Sequence, residues 1–147
     1  MRTVYTKLSR AEVMSRLKGV PKDIMKSDEA LLAGGAEAIK LIHREYMVKA
    51  KGGTDIIGGR WVKSKKKSGL TLIQSGRMYN SFVSSVSRGI ITIKNTRSFA
   101  RYHHHGTRRM PKRELWPDPK KWPDFWWKRI VGAIQNRAAE IIVELLR

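Results

Sequence analysis

Apolar positions change period along the chain, and the changes divide it into elements. From Ser27 onward Leu32, Ala36, Ile39, Ile42 and Tyr46 recur at near-helical spacing, which predicts one amphipathic helix from Ser27 to about Lys51. Ser27 suits its N-cap, and Asp28 and Glu29 suit the positive end of its dipole. A shorter helix is expected before it, because Ser9-Arg10-Ala11-Glu12 has the form of a capping box; Gly19 and Pro21 close that helix after about Lys18. Gly34-Gly35 interrupts the longer pattern at a cost of roughly 1 kcal/mol per glycine relative to alanine. The pair marks either a kink or a place where another element comes close, and spacing alone leaves both open.

After Leu70 the period becomes two. Phe82, Ser84 and Val86 fall on one face of a strand and Val83, Ser85 and Ser87 on the other. Arg88-Gly89 makes a turn, and Ile90 to Lys94 is the β-branched return strand. The segment Ser75 to Asn80 before this hairpin reads as a helical turn or short lead-in. Beyond it, Ser98 to Arg113 reads as a basic extended loop, and Pro111, Pro117, Pro119 and Pro123 exclude regular structure until the last element. Trp126, Ile130, Ile134, Ala138, Ile141 and Leu145 then mark a C-terminal amphipathic helix over 124–147. The expected architecture is α+β in a single domain, residues 1–147. A long N-terminal helix, an antiparallel sheet centred on the hairpin, a long basic loop and a C-terminal helix packed on the sheet make it up.

Charge changes this picture most between the elements. The net charge is +19, and no Asp or Glu occurs between Asp55 and Glu114, while Arg60 to Arg113 holds fourteen Lys or Arg. A field of this sign attracts polyanions, because each neutralised phosphate releases condensed counterions. Gly52 to Gly69 carries much of it on a polar stretch without periodicity, expected to be a mobile basic loop or loose hairpin. The candidate DNA-facing residues are Arg60, Lys63, Lys65, Lys66, Lys67, Arg108 and Arg109. The competing reading of the lysine cluster is a solvated loop tip. Four indoles, Trp116, Trp122, Trp126 and Trp127, crowd twelve positions at the start of the last helix. A core anchor is the ordinary use of such a cluster, and a subunit interface is the second.

Composition excludes several chemistries. With no cysteine, disulfides, thiolate zinc sites and cysteine nucleophiles are ruled out. No apolar run approaches the ~20 residues of a membrane helix, so a soluble, unexported protein without membrane partners is expected. His103-His104-His105 is the one stretch suggesting a metal. In an extended strand only His103 and His105 share a side, and no carboxylate lies beside them, so neither metal nor cofactor is expected. A small basic ribonuclease using a histidine base is a third functional reading, but spacing shows no acid–base pair. Gly58-Gly59-Arg60 lacks the form of a phosphate-binding loop.

The ordered landmarks resemble the phage virion morphogenesis family, which includes tail-completion and neck proteins of tailed phages. They are Trp61 in a polar loop; Leu70-Thr71-Leu72-Ile73-Gln74-Ser75-Gly76-Arg77-Met78-Tyr79-Asn80-Ser81; Phe99-Ala100-Arg101-Tyr102-His103-His104-His105-Gly106; and Met110-Pro111-Lys112-Arg113. The likeness spans about Trp61 to Trp116, and Glu114-Leu115 replaces the Pro-Phe usual after the arginine. It implies a scaffold motif of Ser75, Gly76, Arg77, Ala100, His103, Gly106, Pro111 and Arg113, with His103 bonding backbone near the Gly106 turn. It further implies a structural virion protein rather than an enzyme: a homo-oligomeric ring at the head–tail junction, adjoining connector and tail proteins, with genomic DNA passing through. The expected location is the virion, and the host cytoplasm during assembly. The alternative is a stand-alone, non-specific nucleic-acid-binding protein.

Overall fold

The computed structural model describes residues 5–8, 27–47, 49, 59–61, 77–145 and 147. The helix expected from Ser9, the cluster Lys63, Lys65, Lys66 and Lys67, most of the 52–69 stretch, and Ser75 and Gly76 lie outside the described residues.

The described chain is α+β. Its sheet has three antiparallel strands, β1 (Tyr5–Leu8), β2 (Phe82–Ser87) and β3 (Ile90–Asn95), in the order β1-β3-β2. The hairpin follows the sequence pattern: Phe82 pairs with Asn95 and Ser87 with Ile90. Arg88 and Gly89 both hold positive φ, 51° and 75°, as a two-residue primed turn requires. Phe82, Ile91, Ile93 and Asn95 are buried on the inner face, while Val83, Ser85 and Ser87 are exposed on the outer one. Strand β1 was not expected. It pairs Thr6 with Ile93 and Leu8 with Ile91, and four residues are too few to show a period.

Helix α1 (Asp28–Leu41) begins at Ser27, whose hydroxyl accepts from the Ala30 N–H, and passes into a π-helical turn over Ile42–Tyr46. Its buried face differs from the expected stripe: Leu32 and Ala36 are exposed, whereas Ala30, Leu31, Gly34, Gly35, Ala38 and Leu41 are buried. The reason is contact on two sides. A Cβ on Gly34 would stand 2.6 Å from Ile134 Cγ1 of the C-terminal helix, and one on Gly35 would stand 2.7 Å from Ser84 Cβ of β2. The glycine pair therefore marks close approach and not a kink.

The last helix, α3 (Asp124–Leu145), buries Trp126, Ile130, Ile134 and Ala138 as its periodicity predicts, but the stripe ends early: Ile141 is half-buried and Leu145 is exposed. It packs chiefly on α1, and α1 covers the sheet. This corrects the expected placement of the C-terminal helix on the sheet: an amphipathic pattern says which face is buried, not what covers it. The two helices run antiparallel. Arg137 of α3 pairs with Glu29 near the start of α1, and the Trp126 Nε1–H donates to Glu45 at the far end, 2.7 Å.

Candidate functional site

Ser98 to Arg113 was expected to be extended; instead Ala100–His105 forms a short helix, α2. Its first turn is fixed by the Arg97 carbonyl accepting from Ala100 N–H, 3.2 Å, and the Phe99 carbonyl accepting from Tyr102 N–H, 3.1 Å. Ala100 is fully buried and ties the helix to the core. The three histidines therefore fan around a helix at about 100° per residue and do not alternate as they would in a strand. Among the described residues no group of three or more His, Asp or Glu could hold a metal ion.

Gly106 ends α2 at φ 75°, ψ 168°, where a Cβ would stand 2.9 Å from the Lys112 backbone nitrogen. Only glycine fits this conformation and this approach without strain. The chain then reverses: Thr107 N–H donates to the Met110 carbonyl, 2.9 Å, and Met110 N–H returns a bond to Thr107, 3.2 Å. The Thr107 hydroxyl accepts from Arg109 and Met110 N–H as well. This turn presents Arg108 and Arg109 to solvent at its tip.

The returning segment is laced back to α2. Arg113 N–H donates to the His103 carbonyl at 2.8 Å, and Leu115 N–H donates to His104 Nδ1 at 3.1 Å. Leu115 and Trp116 then enter the core, with the His104 ring 4.7 Å from that of Trp116. The side chain that bonds backbone is thus His104, not His103 as the resemblance implied; His103 contributes its carbonyl, and among the described residues its Nδ1 has no hydrogen-bond partner. Burial, reinforced by the charge of His105, pushes the His104 imidazole down to about 4. It is a neutral acceptor holding a loop, the opposite of a general base poised near neutral pH. Burial and the nearby Arg113 charge lower His103 too.

Beside this unit lies an open cleft of about 310 Å³, lined by Thr6, His104, His105, Lys112, Glu114, Trp116, Asp118 and Pro119. Burial alone would raise the Glu114 carboxyl, but the Lys112 ammonium at 2.7 Å and the charge of that group hold it below the usual range. Tyr46 O–H also donates to it, 3.4 Å. Glu114 and Lys112 of this cleft are therefore already engaged with one another.

The other landmarks join this unit at the base of the hairpin. Asn95, fully buried, donates from Nδ2 to the Met78 carbonyl at 2.7 Å and accepts from Arg97 N–H at 3.0 Å. Arg97 Nε–H donates to Ser81 Oγ, 3.1 Å, and the Ser81 hydroxyl donates to the Arg77 carbonyl. Of the scaffold motif, Ala100, His103, Gly106 and Arg113 thus sit in one hydrogen-bonded unit, exposed Pro111 lies on its returning arm, and Arg77 reaches it through Ser81. Arg113 is buried.

Of the DNA-facing candidates, Arg60, Arg108 and Arg109 are exposed. Trp61 packs against the core beside Lys49, whose ammonium lies 3.6 Å from the Tyr46 ring centroid and 5.4 Å from that of Trp61. Sequence reasoning missed this buried cation; its signal is the three-residue spacing from Tyr46 to Lys49. The buried Asn95 gave no signal at all.

The interface expectation for Trp116, Trp122, Trp126 and Trp127 is corrected. The four are 3%, 5%, 0% and 4% exposed in the single chain, which leaves almost no ring surface for a partner. The Trp122 ring meets Trp126 edge-on at 5.5 Å and lies tilted against Trp127 at 5.4 Å, and its Nε1–H donates to the Pro117 carbonyl at 2.9 Å. The cluster is a core anchor. Compared with known proteins, the chain matches no family, no characterised protein and no solved structure. Among the described residues, no helix is long and apolar enough to cross a membrane.

Proposed function

We propose that the chain is a structural virion protein, a ring-forming neck or tail-completion subunit at the head–tail junction of a tailed phage, with DNA passing through the lumen. The observation that carries this reading is the α2 unit. The residues that resemble the family's motif do building work: Ala100 seats the helix, Gly106 permits the reversal, and Arg113 is laced to His103. His104 is a neutral fixture and His103 is shifted the same way, which favours a scaffold over a nuclease.

The exposed Arg108–Arg109 turn suits a lumen. Loop cations attract a passing DNA backbone through contacts that are independent of sequence and screened by salt, so they guide without gripping. The same turn serves the second reading, a nucleic-acid-binding protein acting alone. Imaging and native mass of the purified chain at physiological salt, with and without duplex DNA, separate the two. A closed ring with weak, salt-sensitive DNA affinity supports the subunit; a monomer that binds DNA tightly supports the stand-alone protein.

A further inference from the structure

Helix α2 carries two large rings that the described core leaves uncovered, Phe99 at 42% exposure and Tyr102 at 49%. Phe99 already holds helical angles, φ −74° and ψ −15°, and its ring meets that of His103 edge-on at 6.3 Å, as residues four apart on a helix do. An advance of about 100° per residue then orders the side chains around α2. Fully buried Ala100 marks the inward side, and Tyr102 stands about 200° round from it. Exposed Phe99 and His105 flank Tyr102 at about 60° on either side. Arg101, also exposed, lies beyond His105, and its guanidinium returns to 5.5 Å from the Tyr102 ring. Phe99, Tyr102, Arg101 and His105 therefore share one solvent-facing surface.

At the C-terminal end of α2 the turn after Gly106 adds exposed Arg108 and Arg109. Two carboxylates lie beside this surface, both in the cleft that His105 borders. Glu114 is held by Lys112 at 2.7 Å, and Asp118 accepts from the Lys120 N–H at 2.9 Å. Exposed Lys120 and Lys121 follow Asp118 in the chain. Arg101, Arg108, Arg109, Lys112, Lys120 and Lys121 thus outnumber the two carboxylates, and among the described residues the surface is basic.

We propose that this surface binds single-stranded nucleic acid, with unpaired bases stacking on Tyr102 and Phe99 while Arg101, Arg108 and Arg109 contact phosphates. The rings decide the ligand. A duplex keeps its bases stacked on one another and offers this helix mainly phosphates, for which exposed aromatics have no use. An unpaired base presents a π-face to an aromatic side chain, and that contact tolerates any sequence. Residues three apart on a helix stand about 5–6 Å from each other at Cβ. A strand advances ~3.4 Å per nucleotide when stacked and further when spread, so the two rings can take neighbouring bases. Aromatic residues and arginine suit a protein contact as well, but a basic surface on a chain of net charge +19 favours a polyanion. The inference goes beyond the duplex guidance ascribed to Arg108 and Arg109 and does not depend on ring formation.

Fluorescence anisotropy of the full chain with three labelled probes tests it: an oligothymidylate of about 12 nucleotides, an abasic strand of the same length and charge, and a duplex of that length. At physiological salt the oligothymidylate should bind roughly tenfold or more tighter than the abasic strand. Tyr102→Ala should lose roughly tenfold on the oligothymidylate and little on the other two probes, and Tyr102→Phe should restore the affinity. Arg108→Gln/Arg109→Gln should weaken every probe and lower the salt slope on the oligothymidylate by about 1.4, the value for two single-strand phosphate contacts. Circular dichroism confirms that each variant is folded. Equal affinity for the oligothymidylate and the abasic strand overturns the proposal, as does an equal loss on all three probes in Tyr102→Ala. Unchanged affinity in Tyr102→Ala together with a lower oligomer mass assigns the surface to a contact between copies and overturns it too. Ring formation, read separately from the mass of the wild type, stands or falls on its own.

Discussion

Gly34 of α1 faces Ile134 of α3 so closely that a methyl group on it would stand 2.6 Å from Ile134 Cγ1 and 2.7 Å from Cδ1. The missing side chain is what lets the two helices pack as closely as they do. Gly34→Ala gains about 1 kcal/mol of helix propensity but forces the core apart, and overpacking typically costs about 1–3 kcal/mol. Gly132 on α3 has nothing within 4 Å of its Cβ position. Denaturant unfolding should therefore show Gly34→Ala neutral to destabilised and Gly132→Ala stabilised by up to about 1 kcal/mol. A stabilised Gly34→Ala would contradict the packing described.

The reversal after α2 depends on Gly106. Alanine there meets both a left-handed φ and the Lys112 backbone nitrogen at 2.9 Å, and backbone, unlike a flexible side chain, cannot step aside cheaply. Gly106→Ala should cost more than about 1 kcal/mol, with fast hydrogen exchange at the Arg113 and Leu115 amides. Protection unchanged at both amides would contradict the lacing.

Acid should loosen the same unit. His104 titrates near 4 in the folded chain against 6.5 unfolded, and His43 and His103 are lowered by burial as well. The unfolded chain therefore binds more protons below about pH 6.5, so stability is full above that pH and declines as pH falls toward 4. His104→Asn keeps an acceptor where Nδ1 stands and removes the titration. Its melting temperature should vary less steeply between these pH values than that of the wild type; equal slopes would contradict the assigned role.

Asn95 should be the most sensitive polar position of the hairpin. Asn95→Leu fits the buried volume but strands the Met78 carbonyl and the Arg97 amide, each losing the bond at 2.7 and 3.0 Å. Leaving buried groups unsatisfied costs about 1–3 kcal/mol apiece. Unfolding midpoints within error of the wild type would show that water or other groups replace the side chain.

The hairpin and the inward stripe of α3 were legible in the sequence because their signals are local. Alternation from Phe82, the Arg88-Gly89 turn and the Trp126–Ile130–Ile134–Ala138 stripe each report an element that buries one face. The buried face of α1 was not, because Gly34, Gly35 and Ala38 carry contacts that a hydrophobic pattern does not register. Helix α2 was hidden for a related reason: a single buried alanine anchors six residues that otherwise read as a basic loop. At the candidate site, the turn that exposes Arg108 and Arg109 could be placed near Gly106, yet the roles of His104, Asn95 and Lys49 depend on partners distant in sequence. The tryptophan cluster took the ordinary one of its two readings: crowding marked a core that needed volume, and almost no ring surface is left for the interface reading beside it.

The central claim is the role at the head–tail junction, and the most direct measurement is electron microscopy of phage particles assembled without this chain. The account predicts filled heads and tails that remain unjoined, or tails of aberrant length. Normal, infectious particles would contradict it.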